Sequence, residues 1–238
     1  MGEALLVVDG LEAGYGEVQV LWGISLQSGR GQLTSIVGAN GAGKTTMLRA
    51  IAGTISPWQG RVIFEGEDVT RVPTHLKAAQ GLALVPEGRQ LFSAMTVEEN
   101  LELGAFSKRA TRSYGDRLDQ VFSLFPRLSE RQRQIAGTLS GGEQQMLAIA
   151  RGLMSDPAIL IIDEMSLGLS PVLTNQLVLT LKKLKQGGLT ILLVEQNVHL
   201  ALAVSDYAYV VAEGRVFTEG PPSRLKAMPE IRRAYLGL

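Results

Sequence analysis

The spacing of apolar positions changes character three times along the chain. Residues 1–65 carry short β-prone runs, at 5–8, 23–26, 32–37 and 61–65, broken by glycine turns and by a Pro-Trp-Gln-Gly turn at 57–60. One helix is expected over 47–52, directly after a glycine-rich loop. From about 96 to 154 the pattern is helical. Met146, Leu147, Ile149, Ala150 and Leu153 share one helix face, and Pro126 punctuates the helices. Thr96 with Glu99, and Ser140 with Glu143, have the form of capping boxes.

The last third alternates. Residues 158–162 are a continuous apolar run, as expected of a buried parallel strand, and 189–194 read as a second buried strand. Residues 171–184 read as a helix with Ser170 as N-cap and Pro171 at its first position. A helix over 197–204 follows, then a hairpin of 207–212 with 215–218 about Glu213-Gly214. Strand–helix–strand alternation predicts an α/β fold with a parallel sheet, a small antiparallel β layer ahead of it and a helical insert within it.

The chain has 238 residues, which fits one large domain. We expect a single domain over 1–238, with 1–87 and 155–238 forming the core and 88–154 the helical part. There is no cysteine, which excludes a disulfide scaffold, a zinc ribbon and a thiol nucleophile. Only two histidines, His75 and His199, are present, so a structural zinc site is not expected. Lys plus Arg equals Asp plus Glu at 23 each, so nothing in the composition asks for nucleic acid. Acidic Glu3 and Asp9 argue against a signal peptide, and no apolar run reaches the roughly 18–20 residues of a membrane span. Any membrane role is expected to come through a partner.

Three motifs carry chemistry. Gly38-Ala39-Asn40-Gly41-Ala42-Gly43-Lys44-Thr45 matches GxxxxGK[ST] between an expected strand and an expected helix. Its glycines let backbone N–H groups turn toward phosphate oxygens, and the helix N-terminus adds positive partial charge. Lys44 would bridge β- and γ-phosphates and Thr45 would hold Mg²⁺. The bland alternative is a glycine turn that happens to precede a lysine. Second, residues 159–162 run into Asp163-Glu164, placing two acids at the carboxyl edge of a parallel sheet, where such folds bind ligands. Asp163 would meet Mg²⁺, and Glu164 would act on the attacking water as general base or as its orienter. A solvated acidic turn is the plain alternative. Third, Leu139-Ser140-Gly141-Gly142-Glu143-Gln144-Gln145 opens a helix with a hydroxyl and two glycines. That is a second anion-binding arrangement, although an ordinary capped helix also accounts for it.

Taken together, and in this order, the motifs resemble those of ABC transporter ATP-binding subunits, whose signature is LSGGE. The likeness covers essentially the whole chain. It implies the P-loop NTPase fold of the ABC ATPases, with ATP and Mg²⁺ as cofactors and ATP hydrolysis coupled to transport. It also implies a head-to-tail dimer, in which Ser140, Gly141, Gly142 and Glu143 of one subunit face the ATP of the other. By the same likeness, Tyr15 lies against adenine (a strand tyrosine is its alternative), Thr46 joins residues 38–45 on the nucleotide, and residues 166–170 form the loop that meets the partner.

Two positions depart from the general family pattern. Glu87, in Val85-Pro86-Glu87-Gly88-Arg89, stands where a Mg²⁺- and γ-phosphate-sensing glutamine is usual. Gln196, in Val194-Glu195-Gln196-Asn197, stands where the switch histidine is usual; it can donate a hydrogen bond to the γ-phosphate but cannot titrate. Both departures, with Ser166-Leu167-Gly168-Leu169-Ser170-Pro171, are similar to the branched-chain amino-acid importer subfamily, in its LivF-type subunit. The implied catalytic set is Glu164, Lys44 and Gln196, with Thr45, Asp163 and Glu87 toward Mg²⁺. The implied partners are a second ATPase, identical or a sister, transmembrane permeases and, indirectly, a periplasmic binding protein. The implied place is the cytoplasmic face of the inner membrane. A urea importer or a lipopolysaccharide-export ATPase is the alternative within transporters; a non-transport ABC clamp is less favoured, since the chain has one P-loop and no sustained heptads. Met165 stands where proline is usual.

Overall fold

The computed structural model describes residues 3–236. Two sheets share the molecule. The first is antiparallel, ordered β2-β1-β4-β5, from β1 (Ala4–Tyr15), β2 (Val18–Gly29), β4 (Gln59–Phe64) and β5 (Glu67–Asp68). The second is ordered β10-β9-β3-β8-β7-β6, from β3 (Leu33–Val37), β6 (Leu82–Val85), β7 (Ile159–Asp163), β8 (Thr190–Glu195), β9 (Tyr207–Ala212) and β10 (Arg215–Gly220). Its neighbours are parallel from β9 to β6, and only β10 is antiparallel.

The burial of each strand matches its place. Every residue of β3, β7 and β8 is buried, whereas β1 and β2 mix buried and exposed positions because one face of their sheet meets solvent. Side chains of the parallel strands divide with period two. Ile159, Ile161, Leu192 and Val194 pack on the β layer and on α1 (Lys44–Ala52), while Leu160, Ile162, Ile191 and Leu193 pack on the helical side. The helical side contains α3 (Val97–Gly104), α4 (Lys108–Thr111), α5 (Tyr114–Leu124), α6 (Pro126–Ser129) and α7 (Gly141–Met154). Ahead of them, α2 (Thr74–Gln80) leads into β6. After β7 come α8 (Pro171–Gln186), α9 (Val198–Val204), α10 (Pro222–Ala227) and α11 (Pro229–Ile231).

Most expected elements form close to their expected bounds. Both capping boxes are complete: the Thr96 and Ser140 side chains accept the N–H groups of Glu99 and Glu143, whose carboxylates reach back. The hairpin turns at Glu213 and Gly214, both with positive φ (50° and 72°), as a two-residue turn between twisted strands requires. The first layer differs from expectation. Residues 5–8 and 23–26 are not separate short strands but parts of two 12-residue strands running through Gly10 and Gly23. Both glycines have positive φ, and the β1–β2 pairing shifts register between Val8 and Leu11; left-handed residues at such shifts bend a strand instead of ending it.

Candidate nucleotide site

The loop from β3 to α1 lies at the carboxyl end of the parallel sheet. Gly38 is required there by space: a Cβ would stand 2.2 Å from the Val211 carbonyl oxygen on β9. Gly43 is required by conformation, with φ 102° at the N-cap of α1. No side chain caps α1, so its first N–H groups are left for an anion. Lys44, only 4% exposed, donates to the carbonyls of Gly38 (2.9 Å) and Ala39 (3.1 Å). Its Nζ also lies 3.6 Å from Glu164 Oε1.

β7 brings two acids to this loop. Thr45 Oγ1 donates to Asp163 Oδ2 at 3.4 Å, while Asp163 Oδ1 is buried and, among the described residues, has no hydrogen-bond partner. Burial raises the Asp163 pKa to about 6, and the charges of Glu164 and Glu87 push the same way; the Thr45 bond and Lys44 oppose them. Asp163 thus senses two other carboxylates and one ammonium. Glu164 has φ 48°, a left-handed conformation uncommon for a residue of its bulk, and its N–H donates to the Val194 carbonyl at 2.9 Å. Glu87 is exposed and lines, with Thr45 and Asp163, a cleft of about 800 Å³ that opens toward Phe92, Leu103 and Phe106 of the helical side. Among the described residues, no three His, Cys, Asp or Glu side chains converge as a metal-binding group, so Glu87 does not complete an all-protein cage.

Gln196 is exposed and shares a smaller cleft with Glu164, Ser166, Leu167 and Gly168. His199 lies elsewhere, in the groove between α8 and α9. Tyr15 ends β1 and is 42% exposed. Its hydroxyl meets Thr46 Oγ1 (3.4 Å) and Arg49 Nη1 (3.0 Å); the Thr46 bond foremost, with Arg49 adding to it, lowers its pKa. An exposed ring held beside the loop by its hydroxyl is placed for stacking. Residues 39–42 complete the loop, with Asn40 and Gly41 exposed and Ala42 buried.

Ser140, Gly141, Gly142 and Glu143 open α7. Ser140 Oγ is engaged by Glu143 Oε2 at 2.7 Å, and Glu143 also pairs with Arg131 at 3.1 Å. Its Ser140 bond, foremost, holds the Glu143 carboxyl below its ordinary pKa. Among the described residues, no hydrogen bond or ion pair joins 140–143 to 38–46.

Two contributors went unread in the sequence. Glu195, 1% exposed, accepts from Ser166 N (3.0 Å) and Ser166 Oγ (2.8 Å). It ends an apolar strand as Asp163 does, so the same signal was available for it. Arg89 donates to Gln144 Oε1 on α7 (2.9 Å), and Gly88, Arg89 and Gln90 are three consecutive residues of positive φ. No short-range pattern announces that run.

Residues 21–166 match the family model described as ABC transporter. A high-affinity branched-chain amino acid transport ATP-binding protein of Pseudomonas aeruginosa, BraG, is 43% identical, the match covering 98% of this chain and all of that one. A probable branched-chain amino acid transport ATP-binding protein of Archaeoglobus fulgidus, LivF, is 37% identical over 96% of this chain and 97% of its own length. Among solved structures, an ATP-binding cassette of an ABC transporter in its ADP conformation superposes with a TM-score of 0.85 at 28% identity, covering 99% of this chain and all of that one. The P-loop geometry, the Asp163–Glu164 pair and these likenesses agree: the chain belongs to the ABC transporter family, as an ATP-binding cassette.

Proposed function

We propose that this chain is the ATP-hydrolysing subunit of an importer of branched-chain amino acids, bound at the cytoplasmic face of the inner membrane through permease subunits. The observation that carries the chemistry is the meeting of Lys44, Thr45, Asp163 and Glu164 at one edge of the sheet. The cargo rests on the relatives: three named for branched-chain amino acids match at 43%, 37% and 32%, against 30% for a lipopolysaccharide export ATP-binding protein of Escherichia coli.

The site suits Mg²⁺. A buried, unpartnered carboxylate oxygen beside a hydroxyl, in an excess of negative charge, is the donor set expected where one carboxylate, one hydroxyl and substrate phosphates share the ion. Thr45 and Asp163 would hold it; Glu87 would act by its charge. When bound, it would neutralise charge on the phosphates. The residues of the chain do the rest. Tyr15 stacks on the base, and residues 38–46 wrap the phosphates with N–H groups. Lys44 exchanges its loop carbonyls and Glu164 for phosphate oxygens, which frees the Glu164 carboxylate to orient water for in-line attack. Gln196 donates toward the γ-phosphate. With no hydrogen bond or ion pair joining 140–143 to the P-loop among the described residues, a second ATPase subunit, identical or a sister, would supply those donors, and closure of the pair is the step that ATP drives.

The cleft lined by Phe92, Leu103 and Phe106 joins an exposed apolar rim to Glu87 and Asp163 at the nucleotide site. It supports docking of a permease segment where nucleotide contact is sensed. Among the described residues no helix is long and apolar enough to cross a membrane. The test is reconstitution with co-purified permeases and binding protein in vesicles. ATP-dependent leucine uptake is expected, and Glu164→Gln should lower phosphate release by about 10²–10⁴-fold while keeping ATP binding. Unchanged release would remove Glu164 from its role. ATPase activity without uptake of any branched-chain amino acid would leave the chemistry and reject the cargo.

A further inference from the structure

β8 lies between β3 and β7, so its end is flanked by the P-loop on one side and by Asp163-Glu164 on the other. Register sets Glu195 beside Val37 and Val194 beside Asp163. From there β8 holds three donors of the segment leaving β7. Val194 O accepts from Glu164 N (2.9 Å), and the two carboxylate oxygens of Glu195 accept from Ser166 N (3.0 Å) and Ser166 Oγ (2.8 Å). Between these anchors, the Met165 side chain is wholly buried.

The clamp has a physical task. Glu164 is held at φ 48°, and such backbone persists only where its surroundings over-determine it. A proline at 165 would fix its own φ covalently; Met165 does not. Burying a carboxylate is costly, and among the described residues Glu195 forms no ion pair. Its charge is met by hydrogen bonds from the loop that carries Glu164 at its start and by the Asn197 backbone N–H, and Gln196 follows it directly in the chain.

We propose that Glu195 is a positioning residue for hydrolysis. By gripping Ser166 it fixes the turn that aims the Glu164 carboxylate, and it joins that turn to Gln196, so that the water-orienting group and the γ-phosphate donor move as one unit. The inference rests on the ATPase reading above.

The test compares Glu195→Ala, Glu195→Gln, Ser166→Ala and the double variant Glu195→Ala/Ser166→Ala in the full chain, with steady-state Mg-ATP hydrolysis, ATP binding and thermal unfolding. Misplacement of a reacting group by about 1 Å costs about 10²-fold in rate. Glu195→Ala is therefore expected to lose about 10- to 100-fold in kcat, with KM and ATP affinity within about two-fold of wild type. Ser166→Ala, which keeps one of the two bonds, should lose less. The double variant should be no slower than Glu195→Ala. Glu195→Gln should recover most of the rate, since its amide can accept from Ser166 N and donate to Ser166 Oγ. Wild-type kcat in Glu195→Ala, losses that multiply in the double variant, or a Glu195→Gln as slow as the alanine variant would each overturn the proposal. If Glu195→Ala does not fold, Ser166→Ala decides: a lower kcat at unchanged melting temperature supports the clamp, and an unchanged kcat refutes it. Absence of hydrolysis by the wild type would reject the ATPase reading instead.

Discussion

Replacing Asp163 by asparagine should make the nucleotide-free protein more stable while disabling it. Asp163 is 3% exposed, and one of its oxygens has no partner among the described residues. Burial, then Glu164 and Glu87, raises its pKa from 3.8 to about 6. At 1.36 kcal/mol per pH unit, that rise corresponds to about 3 kcal/mol. The sign follows from linkage. The folded pKa lies above the unfolded one, so between about pH 4 and 6 the folded state binds more protons, and stability falls as pH rises through this window. Above pH 6 the full cost of a buried charge is present. An asparagine side chain in its place would not titrate, and its amide would have carboxylates to donate to. Asp163→Asn should therefore gain about 2–3 kcal/mol at pH 8, roughly 5–10 °C in Tm for a chain of this size, and about half of that free energy at pH 5. The assay is urea and thermal unfolding of both proteins in EDTA without nucleotide, across pH 4.5–8, beside ATP hydrolysis with Mg²⁺. A variant less stable than wild type at pH 8, or a gain that does not shrink toward pH 4.5, would refute the electrostatic account.

Tyr15→Ala should weaken ATP binding by about 1–3 kcal/mol, the worth of one aromatic–base stack, and Tyr15→Trp should restore it; titration with ATP reads both. Gly38→Ala places a methyl 2.2 Å from a backbone oxygen of β9, so a Tm loss corresponding to about 1–3 kcal/mol and weaker ATP binding are expected, and calorimetry that finds neither would contradict the geometry. Lys77 is wholly buried, donates to the Ile51 carbonyl (2.8 Å) at the end of α1, and has its pKa lowered to about 8 by burial. Its unfolded state binds more protons between pH 8 and 10.5, so wild type should gain stability relative to Lys77→Met over that window; urea unfolding at pH 7.5 and 10 measures it.

Much of the fold could be read from short segments. Buried strands β7 and β8 announce themselves as apolar runs, the 213–214 turn by its residue types, and α3 and α7 by capping boxes, because each depends on contacts within a few residues. The P-loop was legible for the same reason. The short α2 and β6 carried too little pattern to be read, and Gly10 and Gly23 looked like turns because a glycine inside a bulged strand has the same sequence signature as one that ends it.

The site itself was legible as an inventory and not as an arrangement. Sequence alone determined which groups are available: a glycine-rich loop with Lys44 and Thr45, acids at 163 and 164, and a capped glycine-rich helix start at 140–143. Only the tertiary structure decided that Thr45 meets Asp163 across 118 residues and that Glu195 grips Ser166 across 29. It also decided that Asp163 holds its proton to about pH 6. The reason is that local backbone preference extends over one turn or one strand, whereas burial and charge are set by strand order. With β8 placed between β3 and β7, segments remote in the chain share one dry edge of the sheet, and no pattern within any one of them records its neighbours there.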